Sequence, residues 1–147
     1  KKGLKCYNII FLQVESPLRD NDFFVKKVCI HAKSKRIITV GNINTVRDYS
    51  WAPEIVKGVY CLSKINPCDI ILSSGKGISG KDIIDFAYKK NKLNYKKYLN
   101  TNLNFFRRNE VKVLKGSKNN TKTLTNKFNW KSRIFGKKLV KKMLNSI

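Results

Sequence analysis

Three glycines and a lysine near the middle of the chain have the spacing of a nucleotide-binding loop. Gly75, Gly77 and Gly80 spell GxGxxG directly after the apolar run DIILSS, and Gly75, Gly80 and Lys81 also spell GxxxxGK. The first spacing is typical of dinucleotide-binding loops and the second of P-loops, where backbone N–H groups hold phosphates at the start of a helix. The stretch could therefore bind a nucleotide.

The residues around these glycines complete neither site. A dinucleotide loop needs an acidic residue about 20 positions further on to hold the ribose, and no Asp or Glu occurs from Lys89 to Asn109. A P-loop needs Ser or Thr after its lysine for magnesium, and Asp82 stands there. Ser79 and Asp82 instead have the spacing of a capping box. The sequence therefore favours a turn that leads into a capped helix.

Two further patterns have spacings that could support chemistry. Tyr88 and Lys92 form the YxxxK pair of short-chain dehydrogenases, but they lie in a lysine-rich stretch, so we interpret them as surface residues. Cys29 and His31 lie two positions apart without a second pair of ligands, so we expect no metal site. The four cysteines form no CxxC pair, and we expect reduced, mostly buried thiols in a cytoplasmic protein.

The charge of the chain is strongly positive. Among 147 residues, 32 are Lys or Arg and 9 are Asp or Glu, which gives a net charge of +23. Such a charge suits a polyanionic partner such as nucleic acid. However, 26 of the basic residues are lysines spread along the chain, and no nucleic-acid-binding motif accompanies them. We therefore treat nucleic acid as the less favoured partner, and no apolar run is long enough for a membrane span.

Hydrophobic periodicity predicts an α/β domain in which strands alternate with helices. The continuous apolar run at 69–74 suits a parallel sheet covered on both faces, and the run at 7–14 suits a buried strand. We expect 117–127 to begin as loop. The predicted strands are 7–14, 36–42, 69–74 and 110–116, and the predicted helices are 23–34, 52–64, 81–93 and 137–144.

Several longer stretches match one family in order and separation. They are NIIFLQVESPLRDNDFFVKK (8–27), VGNINTVRDYSWAPEIVKGVYCL (40–62), NFFRRNEVKVLKG (104–116) and FNWKS (128–132). Together they resemble the C-terminal half of the GDP-mannose 4,6-dehydratase family, which shows HESPRRG, FVTRK, a segment with RDW, YFRPTEV and LGWKP in that order. The resemblance implies the C-terminal part of an extended short-chain dehydrogenase/reductase of Rossmann type, together with its smaller substrate-binding domain.

The resemblance also implies a function and an incomplete chain. Complete members of the family are lyases that use NADP to convert GDP-mannose to GDP-4-keto-6-deoxymannose. Residues 1–147 correspond to the sugar-nucleotide-binding half, so we expect the N-terminal NADP-binding half to be absent and this chain alone to be inactive. A related NDP-sugar epimerase or dehydratase, and a non-catalytic basic module that binds nucleic acid, stay open as alternatives. The partner could be that N-terminal half or a second copy of the chain.

The family's functional residues carry over to six positions. An arginine guanidinium binds a diphosphate through paired, charge-assisted hydrogen bonds, which suits a nucleotide-sugar ligand. The glutamate of the PTEV motif is expected to accept hydrogen bonds from the nucleoside. The implied residues are Asn8, Lys27, Arg47, Arg107 and Glu110 on the substrate side and Arg19 on the cofactor side, with no metal ligand and no catalytic residue.

The chain departs from the family pattern at several of these motifs. Val14 replaces a histidine that contacts the cofactor, Trp51 is much bulkier than the family residue, and Arg108 replaces a proline. Val46 stands where the family has a lysine. We expect several of these positions to lie at the ligand, where they would fit a shifted substrate or a degenerating copy.

Overall fold

Short strands and α-helices alternate along the described part of the chain, as the sequence predicts for an α/β protein. The computed structural model describes Gly3 and residues 6–147. The strands are β1 Asn8–Phe11, β2 Gln13–Glu15, β3 Ile38–Val40, β4 Val46–Arg47, β5 Tyr49–Trp51, β6 Asp69–Leu72, β7 Ile78–Ser79, β8 Leu99–Thr101 and β9 Val113–Leu114. The helices are α1 Phe24–Lys33, α2 Ala52–Leu62, α3 Gly80–Lys90, α4 Lys122–Phe128 and α5 Gly136–Asn145.

The strands pair mostly in parallel. β1 pairs with β6, β2 with β5 and β3 with β8, all in parallel, and β4 lies between parallel β9 and antiparallel β7. The parallel sheet predicted at 69–74 is confirmed. Parallel neighbours require crossover connections, and α1 and α2 lie in these connections.

The helices pack through the apolar faces that their sequences encode. In α1 the buried residues Val25, Val28, Cys29 and Ala32 recur at the spacing of one helix face. α1, α3 and α5 contact one another and build the larger hydrophobic core together with β3 and β5. None of the helices in Gly3 and residues 6–147 has the length and apolar character that crossing a bilayer requires.

A smaller core joins α2, α4 and β6. Its buried residues include Ile55, Leu72, Leu124 and Trp130. The indole of Trp130 lies against Gly58 of α2, where an added Cβ would come within 2.9 Å of the ring. The indole N–H also donates a hydrogen bond of 2.8 Å to the backbone oxygen of Glu54. A glycine in the helix therefore allows the tryptophan to lie directly on the backbone.

One strand prediction and one loop prediction are wrong in part. The apolar strand predicted as buried at 7–14 is exposed at Ile10 (48%) and Phe11 (46%), because within the described residues β1 has β6 as its one neighbouring strand. In β6, by contrast, Ile70 and Leu72 are buried and Ile71 is half-buried. The segment 117–127, expected to begin as loop, begins with a short 3-10 turn at Lys118–Thr121 and continues as α4, whose Leu124 is fully buried.

The glycine-rich stretch is a turn and a capped helix, as predicted. Gly75 adopts a left-handed conformation with φ of +70°, which favours glycine. The backbone N–H of Asp82 donates to Ser79 Oγ over 3.0 Å, and Ser79 Oγ lies 2.5 Å from the Asp82 carboxylate. The cap therefore uses the serine and acid that the sequence indicates.

The YxxxK pair is at the surface only at Lys92, which is exposed, whereas Tyr88 is buried, contrary to the interpretation from sequence. Tyr88 is fully buried in the larger core, and its hydroxyl donates a hydrogen bond of 2.7 Å to the backbone oxygen of Arg36. Its ring packs against Tyr98 with centroids 5.5 Å apart. The lysine-rich composition hid the burial of Tyr88, because α3 buries one face and exposes its lysines on the other.

Candidate functional site

An open cleft of about 470 Å³ lies between the parallel strands and the start of α1. Four stretches build most of its wall: β2 through Gln13 and Glu15, the first turns of α1, residues 39–49 and residues 105–110. The parallel register of β2 and β5 places Gln13 opposite Tyr49, so both strands contribute to the same wall. The fold thus brings together segments that are far apart in the sequence.

Gly41 allows two of these segments to approach closely. A Cβ at this position would lie 2.7 Å from the backbone oxygen of Phe105, which is closer than real contacts allow. Glycine therefore lets the turn after β3 touch the turn Leu103–Phe105. This contact holds Phe105 and Arg107 at the edge of the cleft.

Arg47 and Glu110 form an ion pair in the cleft wall. The Nη2 atom of Arg47 lies 3.2 Å from Glu110 Oε1, and both side chains are mostly buried. Arg47 Nη1 also donates hydrogen bonds to the backbone oxygens of Val46 (2.9 Å) and Val111 (2.8 Å). The guanidinium is therefore fixed in place by three oxygen atoms from two segments before any ligand arrives.

Asp48, which follows Arg47 in the chain, has a structural role as a hydrogen-bond acceptor that the sequence reasoning missed. Its fully buried carboxylate accepts hydrogen bonds from the backbone N–H groups of Ser74 (3.1 Å), Gly75 (2.8 Å) and Gly116 (3.2 Å) and from the Ser74 hydroxyl (2.5 Å). Side chains of successive residues in a strand point to opposite sides. Arg47 therefore lines the cleft while Asp48 anchors the glycine turn and the loop after β9.

The six residues implied by the family resemblance lie in different places. The cleft wall includes Lys27, Arg47, Arg107 and Glu110. Asn8 begins the exposed strand β1 and is not among the residues that line this cleft. Arg19 lies behind the wall, where Nη1 contacts Glu15 Oε1 over 3.2 Å and the backbone oxygen of Val14 over 2.5 Å.

Glu15 is a further carboxyl group in the cleft wall that the sequence reasoning did not select. It is 1% exposed, its Oε1 atom contacts Arg19, and its Oε2 atom has no hydrogen-bond partner among the described residues. Burial raises the pKa of Glu15 to about 7, although the Arg19 guanidinium acts in the opposite direction. Burial and the Glu15 carboxylate also raise the pKa of Tyr49. The signal available in the sequence was an acidic residue directly after the apolar run at 7–14.

The cysteines are all free, but only one is buried. Cys29 lies in the larger core, Cys6 is exposed, and Cys61 and Cys68 are half-buried, so the prediction of mostly buried thiols is wrong. Burial, the Glu15 carboxylate and, in the opposite direction, Lys33 set the pKa of Cys29, which rises to about 12. Gly3 and residues 6–147 contain no cluster of three metal-ligating side chains.

The departures from the family pattern lie away from the residues that line the cleft, and one of them lies in the core. Trp51 is 7% exposed and belongs to the larger hydrophobic core, with Lys142 Nζ lying 5.2 Å from its ring centre. Val14, Val46 and Arg108 are likewise not among the residues that line the cleft. None of these four residues is therefore among those that line the cleft with Arg47 and Glu110.

Solved structures with the same fold include sugar-nucleotide enzymes. The RMD protein of Pseudomonas aeruginosa, solved with NADPH, matches with a TM-score of 0.79 at 16% identity, over 99% of this chain and 49% of that chain. UDP-glucose 4-epimerase of Thermotoga maritima, solved with UDP-glucose, matches with a TM-score of 0.78 at 13% identity, over 94% of this chain and 44% of that chain. These likenesses show that the fold is that of part of a Rossmann-type dehydratase or epimerase.

Sequence comparison identifies the family. GDP-mannose 4,6 dehydratase 1 of Arabidopsis thaliana is 28% identical over 149 aligned residues, which cover 97% of this chain but 40% of that protein. The chain thus spans less than half the length of this curated relative. The model of the GDP-mannose 4,6 dehydratase family matches residues 1–143. The chain therefore belongs to the GDP-mannose 4,6-dehydratase family.

Proposed function

We propose that residues 1–147 are the sugar-nucleotide-binding half of a GDP-mannose 4,6-dehydratase, a lyase. The observation that carries this proposal is the Arg47–Glu110 ion pair in the wall of a cleft that Lys27 and Arg107 also line. These four residues occupy the family motifs from which their substrate contacts are inferred. Their convergence in one cleft is what a diphosphate-linked ligand requires.

The cleft offers two kinds of interaction to such a ligand. Three cations, Lys27, Arg47 and Arg107, line it, and an arginine can bind phosphate oxygens in a bidentate manner. The Arg47 guanidinium is already oriented by Val46, Val111 and Glu110, so little side-chain entropy is lost when it binds. Glu110 can accept hydrogen bonds from a polar base, as the resemblance implies. Asn8 would extend the substrate contacts beyond the cleft.

The cofactor belongs to the rest of the complete enzyme in this proposal. Arg19 is the residue assigned to the cofactor side, and its Nη1 atom already donates to Val14 and contacts Glu15. We therefore assign most of the NADP site to the rest of the complete enzyme. When bound by the complete enzyme, NADP would supply a hydride acceptor and donor for the oxidation of C4 and the reduction of C6. The four free thiols support our placement of the protein in the cytoplasm.

Binding of GDP and GDP-mannose to the 147-residue chain, measured by isothermal titration calorimetry, tests the proposal. We expect Arg107→Ala to weaken both affinities by about tenfold or more, because a charge-assisted hydrogen bond contributes about 1.5–3 kcal/mol. Arg108→Ala is the matched control, since it removes the same charge one position away and does not line the cleft. Equal losses in the two variants, or no binding by the unmodified chain, would overturn the proposal.

The same titrations separate the alternatives. A related NDP-sugar epimerase or dehydratase would prefer UDP or dTDP over GDP. A basic nucleic-acid-binding module would bind DNA or RNA with a steep dependence on salt concentration and show no preference among nucleoside diphosphates. GDP preferred at physiological salt, with that preference lost in Glu110→Ala, supports the dehydratase, because Glu110 is the residue assigned to the base.

A further inference from the structure

Glu15 stands out among the polar groups of the cleft because one of its oxygens lacks a partner. The residue is 1% exposed and forms part of the cleft wall, yet Oε2 makes no hydrogen bond within the described residues. Buried polar atoms in native proteins are nearly always hydrogen-bonded, and leaving one unpaired is costly. A partner that arrives with a ligand is one way to satisfy the group.

Arg19 holds Glu15 in a position to serve such a ligand. Arg19 Nη1 lies 3.2 Å from Oε1, and the guanidinium packs 3.5 Å from the centre of the Phe23 ring. These contacts fix one side of the carboxyl group. The terminal torsion of a glutamate is broad, so a modest rotation can bring Oε2 toward the cleft.

The charges around the cleft restrict what Glu15 can bind. The cations Lys27, Arg47 and Arg107 suit the phosphates, whereas a carboxylate repels them. A hydroxyl group is compatible with both forms of Glu15, since it donates to a carboxylate and accepts from a carboxylic acid. A neutral hydroxyl group therefore suits Glu15 better than a phosphate does.

We propose that Glu15 is a specificity-determining residue that hydrogen-bonds a hydroxyl group of the sugar ring while the cleft's arginines hold the diphosphate. This inference rests on the proposed function, because it assumes a nucleotide sugar in the cleft. It assigns Glu15 the discrimination between GDP-sugar and GDP, which differ by the hydroxylated ring.

The test compares the affinities of GDP-mannose and GDP for Glu15→Gln and Glu15→Met. Glutamine keeps the size of the side chain and an oxygen that can accept from Arg19, whereas methionine removes both polar atoms. We expect Glu15→Met to reduce the preference for GDP-mannose over GDP by about tenfold. Glu15→Gln should reduce it by a smaller factor, at a pH of about 8 where the glutamate is charged. GDP affinity should change less than twofold in both.

The outcomes separate this inference from the proposed function. Asp85→Asn, a carboxylate change on the exposed face of α3 where Asp85 pairs with Lys89, should leave the preference unaltered. If GDP binds but the preference is the same in all variants, or if both ligands lose affinity in parallel, Glu15 is a structural residue and the inference is wrong. If the unmodified chain binds neither ligand, the proposed function fails as well. If Glu15→Met does not fold, the affinities of the Glu15→Gln variant alone test the inference.

Discussion

Asp48 connects three segments of the chain through one buried carboxylate. Asp48→Ala would leave the N–H groups of Gly75 and Gly116 without their acceptor. Since unsatisfied buried groups are costly, we expect the free energy of unfolding to fall by about 3 kcal/mol. Urea unfolding followed by circular dichroism measures the loss. Asp85→Ala, which removes an exposed ion pair with Lys89, is the control and should change stability little; similar losses in both would contradict the assigned role of Asp48.

Glu15 should make stability depend on pH in an unusual direction. Its folded-state pKa is raised from 4.5 to about 7, so the folded protein binds more protons than the unfolded chain between these values. The contribution of Glu15 to stability is therefore complete below pH 4.5 and is lost as pH rises through about 7. The difference amounts to at most about 3 kcal/mol.

Glu15→Gln isolates this effect from those of the other carboxylates. Glutamine does not titrate, while the groups that face Glu15 (Arg19 on the adjoining loop, Tyr49 on β5 and Cys29 on α1) stay in place. As the pH rises from 4.5 to 7, the free energy of unfolding of the unmodified chain should fall relative to that of the variant. Chemical denaturation at several pH values checks this, and a constant difference would contradict the raised pKa.

At the scale of elements, the contact of α2 with Trp130 depends on the absence of a side chain at position 58. Gly58→Ala would normally stabilise a helix by about 0.5–1 kcal/mol. Here the new Cβ would lie 2.9 Å from the indole, and overpacking costs about 1–3 kcal/mol. We expect a net loss of about 1 kcal/mol in urea unfolding, together with a change in Trp130 fluorescence.

The exposed neighbour Lys57 supplies the control for this helix. Lys57→Ala changes helix propensity only slightly, so its unfolding curve should stay close to that of the unmodified chain. An increase in stability for Gly58→Ala would show that Trp130 moves away without cost. The inference that α2 packs tightly against Trp130 would then be wrong.

At the scale of the whole molecule, β1 presents an apolar edge to solvent. β1 pairs with β6 within the described residues, and Ile10 and Phe11 are about half exposed. Exposed apolar edge strands favour pairing with another chain. We expect the 147-residue chain to self-associate with rising concentration, as measured by sedimentation velocity, and Ile10→Thr combined with Phe11→Lys to reduce the association. Leu103→Lys, at an exposed residue outside the strands, should not.

Catalysis should require more than residues 1–147. Tyr88 and Lys92 cannot serve as the catalytic pair, because Tyr88 is fully buried and its hydroxyl donates to the Arg36 carbonyl. We expect no 4-keto product when the chain is incubated with GDP-mannose and NADP. Product should form when a polypeptide carrying the N-terminal half of a family member is added. Turnover by this chain alone would contradict this prediction.

Local patterns in the sequence were enough to place α1, α2, α3 and α5, because each helix has an apolar face. Pro53 also marks the start of α2, and Ser79 caps α3. The Ser79–Asp82 cap and the left-handed Gly75 could be predicted for the same reason, since a cap and a turn depend on residues within a few positions. The motifs, read in order, also indicated the family, and the family model confirms it.

Tertiary structure alone decided the short strands and the use of individual side chains. β4, β5, β7 and β8 have two or three residues each, too few for any periodicity, and exist because a distant strand pairs with them. The lysine-rich segments hid the burial of Tyr88, since composition does not say which face of a helix is covered. Arg47 and Glu110 meet across 63 positions, and Asp48 meets Gly116 across 68. The position of such pairs depends on strand pairing and chain crossing, which are long-range interactions that local sequence does not encode.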